Sequence, residues 1–425
     1  MRRSHYFIQK KSFLILAVIL FLLVCLYIQS RYQKDPFLSP EITERIVLEN
    51  AAHNLTEDEY VRKWLNLRRN ISDHLSRLGR ILYLGDEPPE VTNSPKRYQI
   101  LVWKYGATME NRHIKHFPNS DPFQHCSVRN CDITNSAADF KTADLVLFHL
   151  HRMKGTKDLP TMRRNPEQIW TFLTDESPHH TFLAGGKVKL KDFNGVFNWS
   201  MSYRKDSDIP VPYGRTVVKK YLNDENLILN KRRDVLITIL GSNCGGQNHR
   251  WQYVRELQKH IAVDVYGNCG KKVCPGHFHS DCPEIGRYLF YLSFENSNCE
   301  DYITEKLWWN AYHKNSIPIV MGASPANYQM LLPPGSYINI EEFASPAVLA
   351  QYILHLNETE DFRKYFEWRK TFEILNEHAY FKTESVHYCR ICEALNYNDR
   401  KQKVYNNLED FWNVSRDCHP PWDAS

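Results

Sequence analysis

The sequence predicts an α/β protein with two domains, carried behind an N-terminal membrane segment and a polar stem. Three observations predict it. Short apolar runs recur from Tyr98 onward and alternate with polar turns and breaker-free helical stretches, as covered parallel strands do. The 425-residue chain leaves more length beyond residue 95 than one such domain uses. Near the N-terminus, a long apolar stretch lacks any turn or alternation.

Residues 1–12 carry Arg2, Arg3, Lys10 and Lys11 and read as a cytosolic tail. Residues 13–28 are wholly apolar; with Gln29 and Ser30 the segment 13–30 is just long enough for a tilted span. Only Arg31 and Lys34 follow closely, so the positive charge before the span puts the tail in the cytosol and the rest in a lumen. No small-x-small cleavage pattern follows, which favours a retained signal-anchor over a cleaved signal peptide. Of 11 cysteines, Cys25 lies in the span, and the remaining even number suits an oxidising compartment. Sequons at Asn54, Asn70, Asn198, Asn357 and Asn413 agree with that compartment. A formal charge of +5 is mild and spread out, and its tightest group, Lys231-Arg232-Arg233, reads as a solvated linker. With no nucleic-acid motif and a lumenal address, nucleic-acid binding is excluded.

Residues 31–95 are polar, with helical patches and no strand pattern, and read as a stem. The first domain is expected over 96–230. Its strands are residues 99–103, 144–148 and 169–173, the last running into Thr174-Asp175-Glu176-Ser177-Pro178. A glutamate one step beyond a buried strand stands at the carboxyl-end crevice where such sheets do chemistry; the competing reading is a cap or loop carboxylate. Residues 193–214 are rich in aromatic and polar groups. There Trp199 and Tyr203 suit stacking on a sugar or base, and Arg204 suits a phosphate. Asp206-Ser207-Asp208 has the spacing of a metal-binding D-x-D, but no third ligand stands nearby and no metal is expected.

The second domain is expected over 231–395. A strand at 235–240 leads through Gly241-Ser242-Asn243-Cys244-Gly245-Gly246 into a helix over 248–260, a strand–turn–helix cradle for phosphate that lacks the standard glycine patterns. Arg250 in the first turns of that helix suits a bidentate diphosphate clamp, and residues 263–267 form the next strand. Residues 288–294 form a buried strand, and Phe294 to Lys306 (FENSNCEDYITEK) packs acids, an amide, hydroxyls and a lysine into the turn before a helix over 304–313. That helix should offer free N–H groups to an anion, with Lys306 as a mobile cation in its first turn. Strands at 317–322 and 337–340 follow, and 396–425 is an extension expected to add no catalysis.

These residues resemble the α-1,3-fucosyltransferase family. The likeness rests on Asn198-Trp199-Ser200-Met201-Ser202-Tyr203-Arg204, Pro212-Tyr213-Gly214, Ser242-Asn243-Cys244 with Arg250, and above all FENSNCEDYITEKL, and it covers about residues 98–395. The resemblance implies two facing Rossmann-like domains of the GT-B type, with GDP-fucose held mainly by the second. It implies an inverting transfer of fucose to O3 of an N-acetylglucosamine in a glycoprotein N-glycan, by a single-pass type II Golgi membrane enzyme. Glu176 falls where the family keeps its catalytic base. Arg250 and Lys306 match the residues that neutralise the diphosphate. Asn243, Tyr203, Asn296 and Tyr302 match donor-contacting positions, and Glu305 matches the carboxylate that reads donor hydroxyls. Cations in those places replace a divalent ion, so no metal is required.

Cys389-Arg390-Ile391-Cys392 has the form of a redox pair or half a zinc site, and neither reading finds support in its surroundings. The resemblance implies instead that Cys389 and Cys392 are tied by disulfides to Cys126 and Cys131. Cys299 reads as a disulfide partner shaping its loop, and the other cysteines are left unpaired by the sequence. Two rival functions stay open: a Golgi transferase using another nucleotide sugar, and an inactive glycan-binding relative. The joint presence of Glu176, Arg250, Glu305 and Lys306 speaks against the second.

Overall fold

The computed structural model describes residues 57–91, 96–220, 230–274, 280–400 and 403–423. The expected tail, the membrane segment and the sequon at Asn54 lie outside the described residues. Among the described residues no helix is long and apolar enough to cross a membrane.

Two helices come first, α1 (Glu57–Arg69) and α2 (Arg77–Leu84). Ser76 caps α2 by accepting from the Gly79 amide at 3.0 Å, and Gly85 ends it at φ 74°, where a glycine carries no Cβ penalty. This part of the expected stem is folded onto the body. Trp64 is buried, its indole N–H donates to the Leu332 carbonyl at 3.0 Å, and the Arg68 guanidinium lies 3.5 Å over its ring while donating to Met330. The helical patches were legible, but their contacts reach residues more than 260 positions away.

The first sheet contains β1 (Tyr98–Val102), β2 (Cys131–Thr134), β3 (Leu145–His149), β4 (Ile169–Thr174), β5 (Trp199–Ser202) and β6 (Ile209–Pro210). All pair in parallel, in the order β2-β1-β3-β4-β5-β6. Strands β3 and β4 are buried along their whole length, which is why they read as unbroken apolar runs. Alternate residues feed two cores. Ile100, Leu145, Leu147 and Leu173 face one, and Leu101, Val146, Phe148 and Phe172 face the other. After β1 the chain forms α3 (Gly106–His113), and after β6 it leaves as β7 (Gly214–Val218).

The second sheet contains β8 (Ile237–Leu240), β9 (Val263–Tyr266), β10 (Phe290–Phe294), β11 (Ile317–Met321) and β12 (Ile338–Asn339), parallel in the order β12-β11-β10-β8-β9. Its helices are α4 (Arg250–Leu257), α5 (Glu305–Leu307), α6 (Pro325–Leu331) and α7 (Pro346–Thr359). The expected helix over 304–313 is real but changes winding, since α5 passes at once into a π-helical turn, Trp308–His313. β13 (Phe372–Asn376) then pairs antiparallel with β7, joining chain that follows each sheet. Helix α8 (His387–Tyr397) returns to the first sheet, where Tyr388, Ile391 and Leu395 enter the core with Ile100 and Leu147. Disulfides Cys126–Cys389 and Cys131–Cys392 fix it there. The last helix is α9 (Val414–Asp417).

An aromatic core joins these parts. Trp64 of α1, Tyr203 after β5, Tyr302 after β10, Trp308, Phe372 of β13 and Trp412 share one buried cluster. The aromatic richness of residues 193–214 is largely explained here. Trp199 and Met201 are core residues of β5, and Tyr203 is buried between Tyr302 (ring centroids 5.0 Å apart) and Trp412 (5.5 Å). Tyr203 thus stands behind Tyr302, 2% exposed. The sequon residue Asn198 is 8% exposed, accepts from the Trp170 amide and donates through its side-chain amide to the Lys403 carbonyl.

Candidate active site

The carboxyl ends of β4, β8 and β10 meet, and each brings one polar turn. Strand β4 ends at Thr174, so Asp175, Glu176 and Ser177 emerge together. The Asp175 side chain is buried, whereas Glu176 is half-buried. Strand β10 ends at Phe294 and releases Glu295 to Thr304 toward the same place. The two turns touch. Tyr302 donates to Glu176 Oε2 at 3.4 Å, and the hydroxyls of Ser177 and Ser297 lie 2.9 Å apart. Lys205, after β5, closes the same seam by donating to Asp301 at 2.7 Å.

The turn after β10 is organised by Glu295, a residue not singled out from the sequence. Its buried carboxylate accepts from the Thr304 amide at 2.7 Å and the Thr304 hydroxyl at 2.8 Å, and it pairs with Lys306 at 3.1 Å. Gly322, at φ 149°, makes room for it, since a Cβ there would stand 2.8 Å from Glu295 Cβ and Cγ. Burial raises the Glu295 pKa, and Lys306 opposes that rise. One expectation changes as a result. The Thr304 amide just ahead of α5 is bound by the Glu295 carboxylate, and Lys306 is held between Glu295, Glu305 and the Thr304 hydroxyl rather than mobile. Burial disfavours the ammonium, but Glu295 and Glu305 outweigh it and hold Lys306 above the ordinary lysine range. For Glu305 burial works against ionisation, while Lys306 wins and lowers its pKa.

Arg250 opens α4 and is 4% exposed. Its two terminal nitrogens donate to the carbonyls of Asn243 (2.7 Å) and Phe294 (3.0 Å), which ties the turn after β8 to the end of β10. Its Nε is buried and has no partner among the described residues, which leaves that donor for a ligand. Burial depresses its pKa, and Glu295 is the first of the groups that resist. Gly241 lets the turn pass, since a Cβ there would lie 2.2 Å from the Trp251 ring. Asn243 is exposed and folds its own turn by accepting from the Gly245 amide at 3.0 Å. Asn296 is half-buried, its carbonyl accepting from the Gln247 amide at 2.7 Å, so the turns after β8 and β10 form one surface.

The structure thus brings together Glu176, Asn243, Arg250, Asn296, Tyr302, Glu305 and Lys306, and leaves Tyr203 behind them. Tyr302 itself is 2% exposed and directs its hydroxyl at Glu176 rather than at open solvent. The sequence reading also missed His180, whose Nδ1 lies 3.2 Å from the Ser177 hydroxyl and whose pKa burial lowers. Its place in E-S-P-H-H, just past the candidate glutamate, was the available signal. Beneath Glu176, Asp175 is enclosed by Arg112 (3.3 Å), His387 (3.4 Å) and His378 (3.8 Å), and its carbonyl accepts from Tyr213 at 2.7 Å. The D-x-D carboxylates serve the scaffold. Asp206 pairs with Arg204, and Asp208 accepts from Ser200, Tyr405 and Lys403.

Residues 95–214 match the family described as fucosyltransferase, N-terminal, and residues 230–412 match glycosyltransferase family 10 (fucosyltransferase), C-terminal. Glycoprotein 3-alpha-L-fucosyltransferase A of Drosophila melanogaster is 38% identical over 348 residues, 79% of this chain, which spans 64% of that protein. Alpha-(1,3)-fucosyltransferase 7 of Rattus norvegicus is 34% identical over 74% of this chain and 79% of its own length. A solved α1,3-fucosyltransferase with GDP-fucose aligns over 79% of this chain and 99% of its own at 16% identity and TM-score 0.46. The chain belongs to the family 10 fucosyltransferases.

Proposed function

We propose that this protein transfers L-fucose from GDP-fucose to O3 of an N-acetylglucosamine in a glycoprotein glycan, with inversion, and that Glu176 is the general base. One observation carries the reading: Glu176 of the β4 turn meets the turn after β10, whose neighbours Arg250 and Lys306 are its cations. The two sheets act as the facing Rossmann-like domains of a GT-B enzyme. Family membership and the names of the Drosophila and rat relatives support the fucosyl donor and a glycoprotein acceptor. In the reaction, Glu176 takes the proton of the acceptor hydroxyl as its oxygen bonds to the anomeric carbon. The bond from that carbon to the β-phosphate oxygen breaks, and the electron pair leaves with GDP. The Arg250 Nε–H and the Lys306 ammonium meet the charge that grows on the phosphate, which favours the transition state over the ground state.

The apolar segment 13–30 and the even lumenal cysteine count support a type II Golgi membrane enzyme. Asn70, exposed after α1, is the described sequon most open to a glycan. The deciding experiment incubates the purified protein with GDP-fucose, GDP-mannose or UDP-sugars and with N-glycans offering core or antennal N-acetylglucosamine, followed by mass spectrometry. Fucose on O3 from GDP-fucose alone is expected. Transfer from another nucleotide sugar, or none from any, would replace the reading.

A further inference from the structure

We propose that residues 413–422, which lie beyond the family match ending at 412, position the two turns that hold the nucleotide-sugar donor, with His419 and Trp422 as positioning residues. The proposal rests on the donor reading above. The segment begins at α9, where Asn413 caps by accepting from the Ser415 amide at 2.8 Å. Asp417 is buried and takes Arg204, which follows β5 of the first sheet, at 2.9 Å, and its carbonyl accepts from the Glu300 amide at 2.7 Å. Cys418 is bonded to Cys299 within the turn after β10. His419 then donates its amide to the Asn298 carbonyl at 2.7 Å and sets its ring 2.8 Å from Glu300, while Asn298 donates to the Pro420 carbonyl at 2.9 Å.

The strap next crosses to the turn after β8. The Trp422 amide donates to the Asn248 carbonyl at 3.3 Å, its carbonyl lies 2.9 Å from His249 Nδ1, and its ring meets Tyr253 edge-on at 4.9 Å. His249 sits at φ 59°, a left-handed conformation that a non-glycine residue holds only with outside support, and it immediately precedes Arg250. Asn248 completes the link by donating to both Glu295 and Asn298. One extended segment thus fixes the spacing between the turn carrying Asn243 and Arg250 and the turn carrying Asn296, Glu305 and Lys306. It contributes no group to Glu176, so its influence falls on donor affinity and spares proton transfer.

The test uses the full-length protein and three variants: Trp422→Ala, His419→Ala, and Cys299→Ala with Cys418→Ala. GDP binding is measured by calorimetry well below the melting temperature, and turnover with GDP-fucose and acceptor by steady-state kinetics. The expected result is a GDP Kd and a GDP-fucose KM raised about tenfold, with kcat and acceptor KM within about twofold of wild type. Trp422→Phe, which keeps the ring on Tyr253, should restore most of the affinity. A lower melting temperature with an unchanged GDP Kd in the Trp422 and His419 variants means a brace for stability alone and overturns the proposal. Should the cysteine pair fail to fold, those two variants decide. A wild-type protein that neither binds GDP nor turns over GDP-fucose overturns the donor reading itself, and the proposal with it.

Discussion

The hydroxyl of Tyr302 donates to Glu176 at 3.4 Å across 126 residues of sequence, from a turn of the second sheet to a turn of the first. Burial, and next the charge of Glu176, push the Tyr302 pKa well above the ordinary phenol range, so the tyrosine stays protonated and remains a donor. Its ring is fixed by Tyr203 at 5.0 Å and Tyr213 at 6.4 Å. The contact therefore aims the Glu176 carboxylate without competing for its proton.

Glu176→Gln should lower kcat by about 10²–10⁴-fold, the range for loss of a general base, with GDP affinity unchanged. Tyr302→Phe keeps the ring and removes only the aim, so a smaller fall of about tenfold or less is expected. Steady-state kinetics on both, with calorimetric GDP binding as control, separate the roles. Full turnover in Glu176→Gln would remove the glutamate from the mechanism.

Glu295 links folding to the site, because one carboxylate both starts α5 and holds Lys306. Glu295→Gln retains the shape but loses the charge and one acceptor. We expect about 1–3 kcal/mol of lost stability in chemical denaturation. We also expect a raised GDP-fucose KM, since Lys306 is then drawn to Glu305 alone. The conservative Glu295→Asp should not rescue, because the shorter side chain cannot span Thr304 and Lys306 together.

The strands most legible in the sequence were those buried on both faces. Residues 144–148 and 169–173 read as unbroken apolar runs because β3 and β4 have no solvent face to mark with polar residues. Strand β5 was hidden because Ser200 and Ser202 interrupt its apolar residues, their hydroxyls being met by Asp208 and Ser207 of the following turn. The pairing of β7 with β13 joins Val218 to Phe372, a relationship no local pattern encodes. In the candidate site, the places of Glu176 just past β4 and of Arg250 at the start of α4 were legible. Lys306 was read as free because its neutralising partner Glu295 lies 11 residues earlier and reaches it only through the turn geometry. The contacts of the C-terminal extension were not legible because their partners, such as Arg204 for Asp417 and Cys299 for Cys418, lie far away in the sequence.

A pH dependence follows from the buried histidines beneath Glu176. Burial lowers His149 to about 4 and His378 to about 3, and holds His113 well below the usual range. The charged and titratable groups facing them are Asp175, Arg112 and His387, with Arg152 and His151 also near His149. A histidine whose folded pKa lies below the unfolded value of 6.5 binds protons more readily when unfolded. Its stability contribution is thus whole above 6.5 and is lost as pH falls toward 4 for His149 and 3 for His378. Asp175 leaves the upper part of this window unaffected, because its unfolded carboxyl titrates near 3.8; as pH approaches that value its lowered folded pKa adds to the fall. Urea denaturation should show stability falling by up to about 1.4 kcal/mol per pH unit for each such histidine below 6.5. His149→Asn should remove one histidine's share of that slope. A stability unchanged between about pH 7.5 and about pH 5.5 would mean these rings are hydrated in solution.

Residues 57–84 are expected to behave as part of the folded body and not as a dispensable stem. Trp64 packs edge-on against Phe372 at 5.0 Å, carries Arg68 on its face and donates to Leu332, while Leu78 enters the core of the first sheet and its amide donates to Asn398 at 2.9 Å. Arg215 of β7 also donates to the Leu82 carbonyl at 2.9 Å. Trp64→Ala removes a fully buried aromatic side chain, leaves the Leu332 carbonyl without its donor and takes the ring from beneath the Arg68 guanidinium, so a loss of about 3–5 kcal/mol is expected. Removing residues up to 95 should cost more than removing residues up to 56, which deletes none of these contacts. Thermal denaturation of the two truncations distinguishes the views: equal melting temperatures would return residues 57–84 to the role of a spacer.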